Sequence, residues 1–348
     1  MAKITPKENY LRMARGEDPY YLPMYTMFGE EYKGEATFKT IRADFYPSNF
    51  YEDGGKDLWG IEYIGSKEAG GATMPNTDKI MLHDIADWRK VLKFPKMIEV
   101  SDWKAWAQKQ LEPLNYNPEI SALMAGTPGM GMFQALVGLM GFEGGLMALY
   151  TDPDEVKEMF GAMLEETILP AIDITFDYFD IDIFGMGDDT CAKTTPFFSP
   201  EIYEDVFFPV YSAIAKRANE RGIPIDFHNC GRIDEFMPFM EKFGVKYTNP
   251  VQETNDIPAL AKKYKGRMVL CGGYDWDFHM PIDYPNFDEE EIRAGVRHSI
   301  DTYGKEGNYV FCGGVVGAIG DETAMKINTI IQDEVYTYGR KIYGYTGE

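Results

Sequence analysis

The chain has 348 residues, 45% of them apolar, which excludes a miniprotein or a disordered chain and permits a large buried core. Its 34 Lys and Arg against 56 Asp and Glu give a net charge of −22. That charge argues against a broad nucleic-acid or anionic-membrane surface and for neutral molecules, cations, metals or a basic protein face as partners.

Taken in order, the start Met1-Ala2-Lys3-Ile4-Thr5-Pro6 leads into no apolar stretch, and no eighteen-residue apolar run occurs, so a soluble cytoplasmic protein is expected. Segments 20–28 (Tyr-Tyr-Leu-Pro-Met-Tyr-Thr-Met-Phe) and 58–64 (Leu-Trp-Gly-Ile-Glu-Tyr-Ile) read as extended. They fall within residues 1–117, an N-terminal elaboration of one domain spanning 1–348. From about residue 118, short apolar runs alternate with helical patterns, as a parallel sheet with crossover helices requires. The predicted strands are 120–126, 181–187, 223–229, 246–251, 268–274 and 308–314. The predicted helices are 133–149, 153–178, 199–221, 233–243, 288–304 and 322–343. Ser199-Pro200-Glu201 sets an N-cap before a proline, and Asp288-Glu289-Glu290-Glu291 places carboxylates at the positive end of a helix. About eight strands in this length predict an α/β fold, a (β/α)8 TIM barrel with an N-terminal extension. An open dinucleotide-binding sheet is disfavoured, because no G-x-G-x-x-G follows a first strand.

In such a barrel the chemistry collects at the C-terminal strand ends. These read Asp188-Asp189-Thr190-Cys191, His228-Asn229-Cys230-Gly231, Gln252-Glu253, Cys271-Gly272-Gly273-Tyr274-Asp275 and Cys312-Gly313-Gly314. Four cysteines in a chain this long make no disulfide framework, so each thiol must be explained by packing, redox or metal chemistry. His228 and Cys230, two apart on one strand, with Cys312 from another, offer an imidazole and two thiols that suit Zn²⁺ and leave a fourth position open. The same residues could equally be core packing, and Cys271 competes with Cys312 as third ligand. Cys191 is expected to have no metal role. Asp188 or Asp189 is a candidate acid, base or substrate acceptor, with loop or helix capping as the alternative. Met24, Tyr25, Met27 and Tyr274 are candidates for an apolar ring pocket; the aromatic content of 14% also fits an aromatic core.

The segments Arg12-Met13-Ala14-Arg15-Gly16-Glu17-Asp18-Pro19, Asp57-Leu58-Trp59-Gly60, Asp84-Ile85-Ala86-Asp87-Trp88, Ser199-Pro200-Glu201 and His228-x-Cys230-Gly231 resemble, in this order, the uroporphyrinogen decarboxylase superfamily. That resemblance implies a barrel with an N-terminal extension and either a decarboxylase or a zinc-dependent corrinoid or coenzyme M methyltransferase. It also implies zinc on His228, Cys230 and Cys312. The decarboxylases carry an arginine-containing clamp on the first strand, whereas segment 20–28 holds no arginine. Val310-Phe311-Cys312-Gly313-Gly314 resembles the methyltransferases that demethylate methoxyaromatic compounds in anaerobes. The expectation is therefore methyl transfer from an aromatic methyl ether to the Co(I) corrinoid of a separate protein, since no cobalamin-binding D-x-H-x-x-G occurs in the chain. The alternatives are a methylcobalamin:thiol methyltransferase, a tetrapyrrole decarboxylase and a non-catalytic ligand-binding barrel.

Overall fold

The computed structural model describes residues 4–25, 32–47, 54–68, 70–129, 131–275 and 279–346. The N-terminal helix Pro6–Ala14 starts at Thr5, whose hydroxyl accepts from Glu8 N, with proline at the position where a missing N–H costs nothing. Among the described residues ten strands follow: β1 (Phe38–Ile41), β2 (Gly54–Lys56), β3 (Glu62–Ser66), β4 (Ala72–Pro75), β5 (Ala122–Gly126), β6 (Ile183–Gly187), β7 (Ile225–His228), β8 (Val245–Val251), β9 (Val269–Tyr274) and β10 (Tyr309–Gly313). Seven of them form one sheet in the order β1-β5-β6-β7-β8-β9-β10, every pair parallel.

The sheet is curled and surrounded by helices, an α/β architecture that fits a TIM-like barrel. Its two edges approach one another through residue 24. Met24 forms an isolated parallel bridge to Phe311 of β10, with Tyr25 N donating to Phe311 O and Phe311 N to Pro23 O. On the other side, Thr37 Oγ1 donates to Met24 O at 2.7 Å, just before β1 begins. Of segment 20–28, expected to be extended, the described residues 20–25 make a one-residue bridge, because Pro23 has no N–H to extend a ladder; residues 26–28 lie outside the described residues. Segment 58–64 is corrected. Its second half enters β3 of a separate antiparallel sheet, β2-β3-β4, outside the curled one.

The helical stretch 133–149 breaks at Gly141, where φ is +75°, into Met132–Met140 and Phe142–Thr151. The stretches 153–178 and 199–221 run on but widen to π turns at Leu164–Ile168 and Tyr203–Phe207. Each π turn stands just before a proline, Pro170 or Pro209, whose ring and missing N–H an α-helical ladder would not tolerate. The aromatic residues pack largely in this helical layer. Phe133, Phe198, Tyr203, Phe207 and Phe236 are all buried and in mutual ring contact. Composition therefore reports mainly a core here. Among the described residues, no single helix is long and apolar enough to cross a membrane.

Candidate metal centre

Beyond β6 the adjacent carboxylates separate. Asp188 is fully buried. Its Oδ2 accepts from Phe133 N at 2.6 Å and Tyr211 OH at 2.7 Å, and its Oδ1 accepts from Gln134 N at 3.1 Å. It caps the helix Met132–Met140 from the side of the sheet, and burial pushes its carboxyl up to about 7 against these three donors. Of the two readings the sequence left open for Asp188, this geometry is that of the cap, with both oxygens accepting from the fold. The sequence around it makes room, since a Cβ at Gly131 would lie 2.3 Å from Asp188 Cγ.

Asp189 turns toward the end of β7. Gly187 and His228 are paired in register, and a side chain at 187 would meet His228 Cβ at 2.8 Å. Asp189 Oδ1 accepts from Cys230 N at 3.0 Å and lies 3.5 Å from His228 Nε2. Its Oδ2 accepts from Gln134 Nε2 at 3.0 Å. His228 Nε2 and Cys230 Sγ are also 3.5 Å apart. Donor atoms of Asp189, His228 and Cys230 thus all fall within 4.8 Å of one another, and the three residues are partly exposed. Asn229 holds the loops in place, with Oδ1 accepting from Thr190 N and Nδ2 donating to Thr190 Oγ1. Gly231, at φ +86°, turns the chain away where a Cβ would sit 2.4 Å from Ala192 O.

The chemistry of this donor set fits a divalent cation. Burial pushes the Cys230 thiol up, reinforced first by the Asp189 carboxylate and then by Cys312 and Asp275. Burial, Asp226 and Asp275 do the same to Cys312. Surroundings that penalise a bare thiolate in this way are those a bound cation reverses. Cys312 is buried on β10 and does not belong to the three-residue group. Cys271 lies within the sheet's inner packing, 3.8 Å from Tyr10 OH. Cys191 is buried against Thr190 Oγ1.

Of the candidates for a ring pocket, the described ones, Met24, Tyr25 and Tyr274, have different surroundings. Tyr25 points inward, its OH donating to Asp226 Oδ2 at 2.8 Å. Met24 and Tyr274 pack instead in the outer cluster with Ile292, Val296 and Ile327, because neighbouring residues along an extended segment face opposite sides. Met27 lies outside the described residues. A cavity of about 500 Å³ does open at the ends of β1 and β5, lined by Arg42, Phe45, Tyr46, Asp57, Leu58 and Thr127 among others. Sequence reasoning also missed Asp226 and Asn249. The signal for Asp226 was present: a carboxylate inside the apolar text of β7, on the same face as His228.

Residues 127–316, more than half of the chain, match the family model described as uroporphyrinogen decarboxylase (URO-D). No curated protein matches significantly. Among solved structures, a methyltransferase from Methanosarcina mazei is similar with a TM-score of 0.63 and 13% identity, covering 97% of this chain and 100% of that one. A B12-independent methionine synthase from Shewanella sp. W3-18-1 gives a TM-score of 0.42 at 11% identity, covering 81% of this chain and 75% of that one. The first likeness speaks for the fold; the second is too slight to carry an argument.

Proposed function

The chain belongs to the uroporphyrinogen decarboxylase family, and from that premise we propose that it is a zinc-dependent methyltransferase moving a methyl group from an aromatic methyl ether to the Co(I) corrinoid of a partner protein. The observation that carries this reading is the convergence of Asp189, His228 and Cys230 at the ends of β6 and β7. Decarboxylation is disfavoured because segment 20–28 offers no arginine to a polyanionic substrate and the chain carries a net charge of −22.

Asp189, His228 and Cys230 would hold the metal, and Cys312 is the further thiol that the H-x-C pattern brings into consideration. Zn²⁺ held there would supply Lewis acidity toward the ether oxygen. In this reading the methyl–oxygen bond would break with its electron pair left on the aryl oxygen, and the methyl group would pass to the partner's Co(I) corrinoid, the nucleophile that would supply the electron pair of the new bond. A phenolate leaves more readily than an alkoxide, because a phenol's ordinary pKa is about 10. Gln134 and Cys230 N–H fix the Asp189 carboxylate, so the donors are oriented before substrate binds. We assign the aromatic ring to the cavity at the ends of β1 and β5, whose size suits a small ligand and whose lining includes Phe45, Tyr46 and Leu58. It opens one strand away from β6, whose continuation carries Asp189.

The test pairs metal analysis with a donor screen. The purified chain is expected to hold one Zn²⁺, lost in His228→Ala, Cys230→Ala and Asp189→Ala, and to form methyl-Co(III) from a methoxyphenol with a reduced corrinoid protein. Activity confined to methylcobalamin plus a free thiol would oppose the ether reading. Turnover of uroporphyrinogen to coproporphyrinogen would overturn methyl transfer altogether. If Cys312→Ala loses the metal while Asp189→Ala keeps it, the third ligand is the thiol.

A further inference from the structure

His228 has two ring nitrogens, and the proton of the neutral imidazole can sit on either. Its Nε2 faces Asp189 Oδ1 and Cys230 Sγ, each at 3.5 Å. Its Nδ1 faces the other way, 2.8 Å from Asn249 Oδ1. His228 and Asn249 are register partners on β7 and β8. An asparagine side chain could present either its oxygen or its NH₂ to that nitrogen, so the orientation of Asn249 decides which tautomer is held.

That orientation is set one residue further on. Asn249 Nδ2 lies 2.6 Å from Asp226 Oδ1, and Asp226 Oδ2 accepts from Tyr25 OH at 2.8 Å. Two donors converge on one carboxylate, which therefore serves as acceptor to both. Asp226, Asn249 and Tyr25 are all buried, so water does not compete for these bonds. With its NH₂ committed to Asp226, Asn249 has only its oxygen left for Nδ1. The imidazole must then carry its proton on Nδ1, and Nε2 keeps its lone pair. Free neutral histidine prefers the opposite arrangement, with the proton on Nε2, so the chain of bonds works against the intrinsic preference of the ring.

We propose that Asp226 and Asn249 are positioning residues that hold His228 as the Nδ1–H tautomer and so aim an Nε2 lone pair at the Asp189–Cys230 side before any metal arrives. The tautomer stands on geometry alone; its use rests on the metal reading above. Metal-binding histidines are commonly oriented by an acceptor on the second nitrogen, and loss of such a partner lowers metal affinity about 10- to 100-fold.

The test uses the full metal-free chain labelled with ¹⁵N-histidine at a pH where imidazole is neutral, with His228 assigned by the missing signals of His228→Gln. Wild type is expected to show the Nδ1–H pattern at His228. Asn249→Ala should shift it to mainly Nε2–H, and Asp226→Asn, whose amide can also donate to Asn249, should give a mixture. Zinc affinity by competition with a chromophoric chelator should fall about 10- to 100-fold in Asn249→Ala. An Nε2–H pattern in wild type overturns the proposal without recourse to any variant, as does an unchanged tautomer in a folded Asn249→Ala. If the expected tautomers are seen but wild type binds no zinc, the positioning relay stands and the metal reading fails.

Discussion

Replacing Asp188 by alanine separates a structural carboxylate from a chemical one. The substitution leaves Phe133 N–H, Gln134 N–H and the Tyr211 hydroxyl without their acceptor, at a position with no solvent exposure. An abandoned buried donor costs about 1 to 3 kcal/mol. Three of them set an upper range near ~9 kcal/mol. Part of this is offset because the fold no longer desolvates a carboxylate, and all three abandoned donors are neutral, so the net loss lies well below that ceiling. We expect Asp188→Ala to lose about 3 kcal/mol in urea unfolding followed by circular dichroism, the lower end of that range for each of the three donors. Asp188→Asn keeps one acceptor oxygen and should lose about 1 kcal/mol, since the Tyr211 hydroxyl can turn to accept. Asp188→Ala within ~0.5 kcal/mol of wild type would refute the capping argument. If that variant were also inactive with its zinc retained, Asp188 would regain a part in the chemistry.

Further outcomes follow from the same contacts. Asp57 accepts from Trp59 N and Ile61 N, yet burial pushes its carboxyl up to about 6. A folded value above the unfolded one means that its contribution is present below about pH 4 and lost as pH rises through about 6. Asp57→Asn, which keeps the acceptor, should therefore gain about 2 to 3 kcal/mol over wild type on moving from pH 4 to pH 8 in urea unfolding, and a pH-independent difference would contradict this. Gly231→Ala forces a Cβ onto Ala192 O at φ +86°, so a loss of at least about 2 kcal/mol and displacement of Cys230 are expected, read as a lower Tm and weaker zinc binding. Removing zinc with a chelator should lower the Tm of wild type but not of Cys230→Ala, because a ligand bound only by the folded state stabilises it.

Where the sequence could be read, length and periodicity were the reason. Six of the seven sheet strands coincide with predicted runs of apolar text; five lie inside their runs, trimmed by a residue or two at either end, as at 120–126 against Ala122–Gly126, and β8 begins one residue before 246–251. β1 escaped notice because Phe38-Lys39-Thr40-Ile41 is only four residues long and mixes polar with apolar side chains. The H-x-C pair was visible because a two-residue spacing on a strand keeps both side chains on one face. For Met24 and Tyr274 composition says only that the side chain is apolar, not whether it faces the inner side of the sheet or its helices, and in the fold both pack beside Ile292, Val296 and Ile327. Asn249 could not be found at all, since its part depends on a register across β7 and β8 that no local pattern encodes.

The tandem Asp188-Asp189 shows how a single step along the chain couples fold and site. Both carboxylates meet the same residue, Gln134: its backbone N–H donates to Asp188 and its side-chain amide to Asp189. The first contact ties the N-terminus of helix Met132–Met140 to the end of β6, and the second uses that anchored helix to aim Asp189 at His228 and Cys230. Gln134 is thereby doubly determined, and its side chain cannot drift from Asp189 without the helix end also moving. Asp189 gains its direction from a helix that never reaches the donor atoms itself. This explains why two identical neighbouring residues take different parts. The strand end delivers one to the interior, where backbone donors exhaust it, and the other to a partly open position beside an imidazole and a thiol, where it retains capacity for a cation.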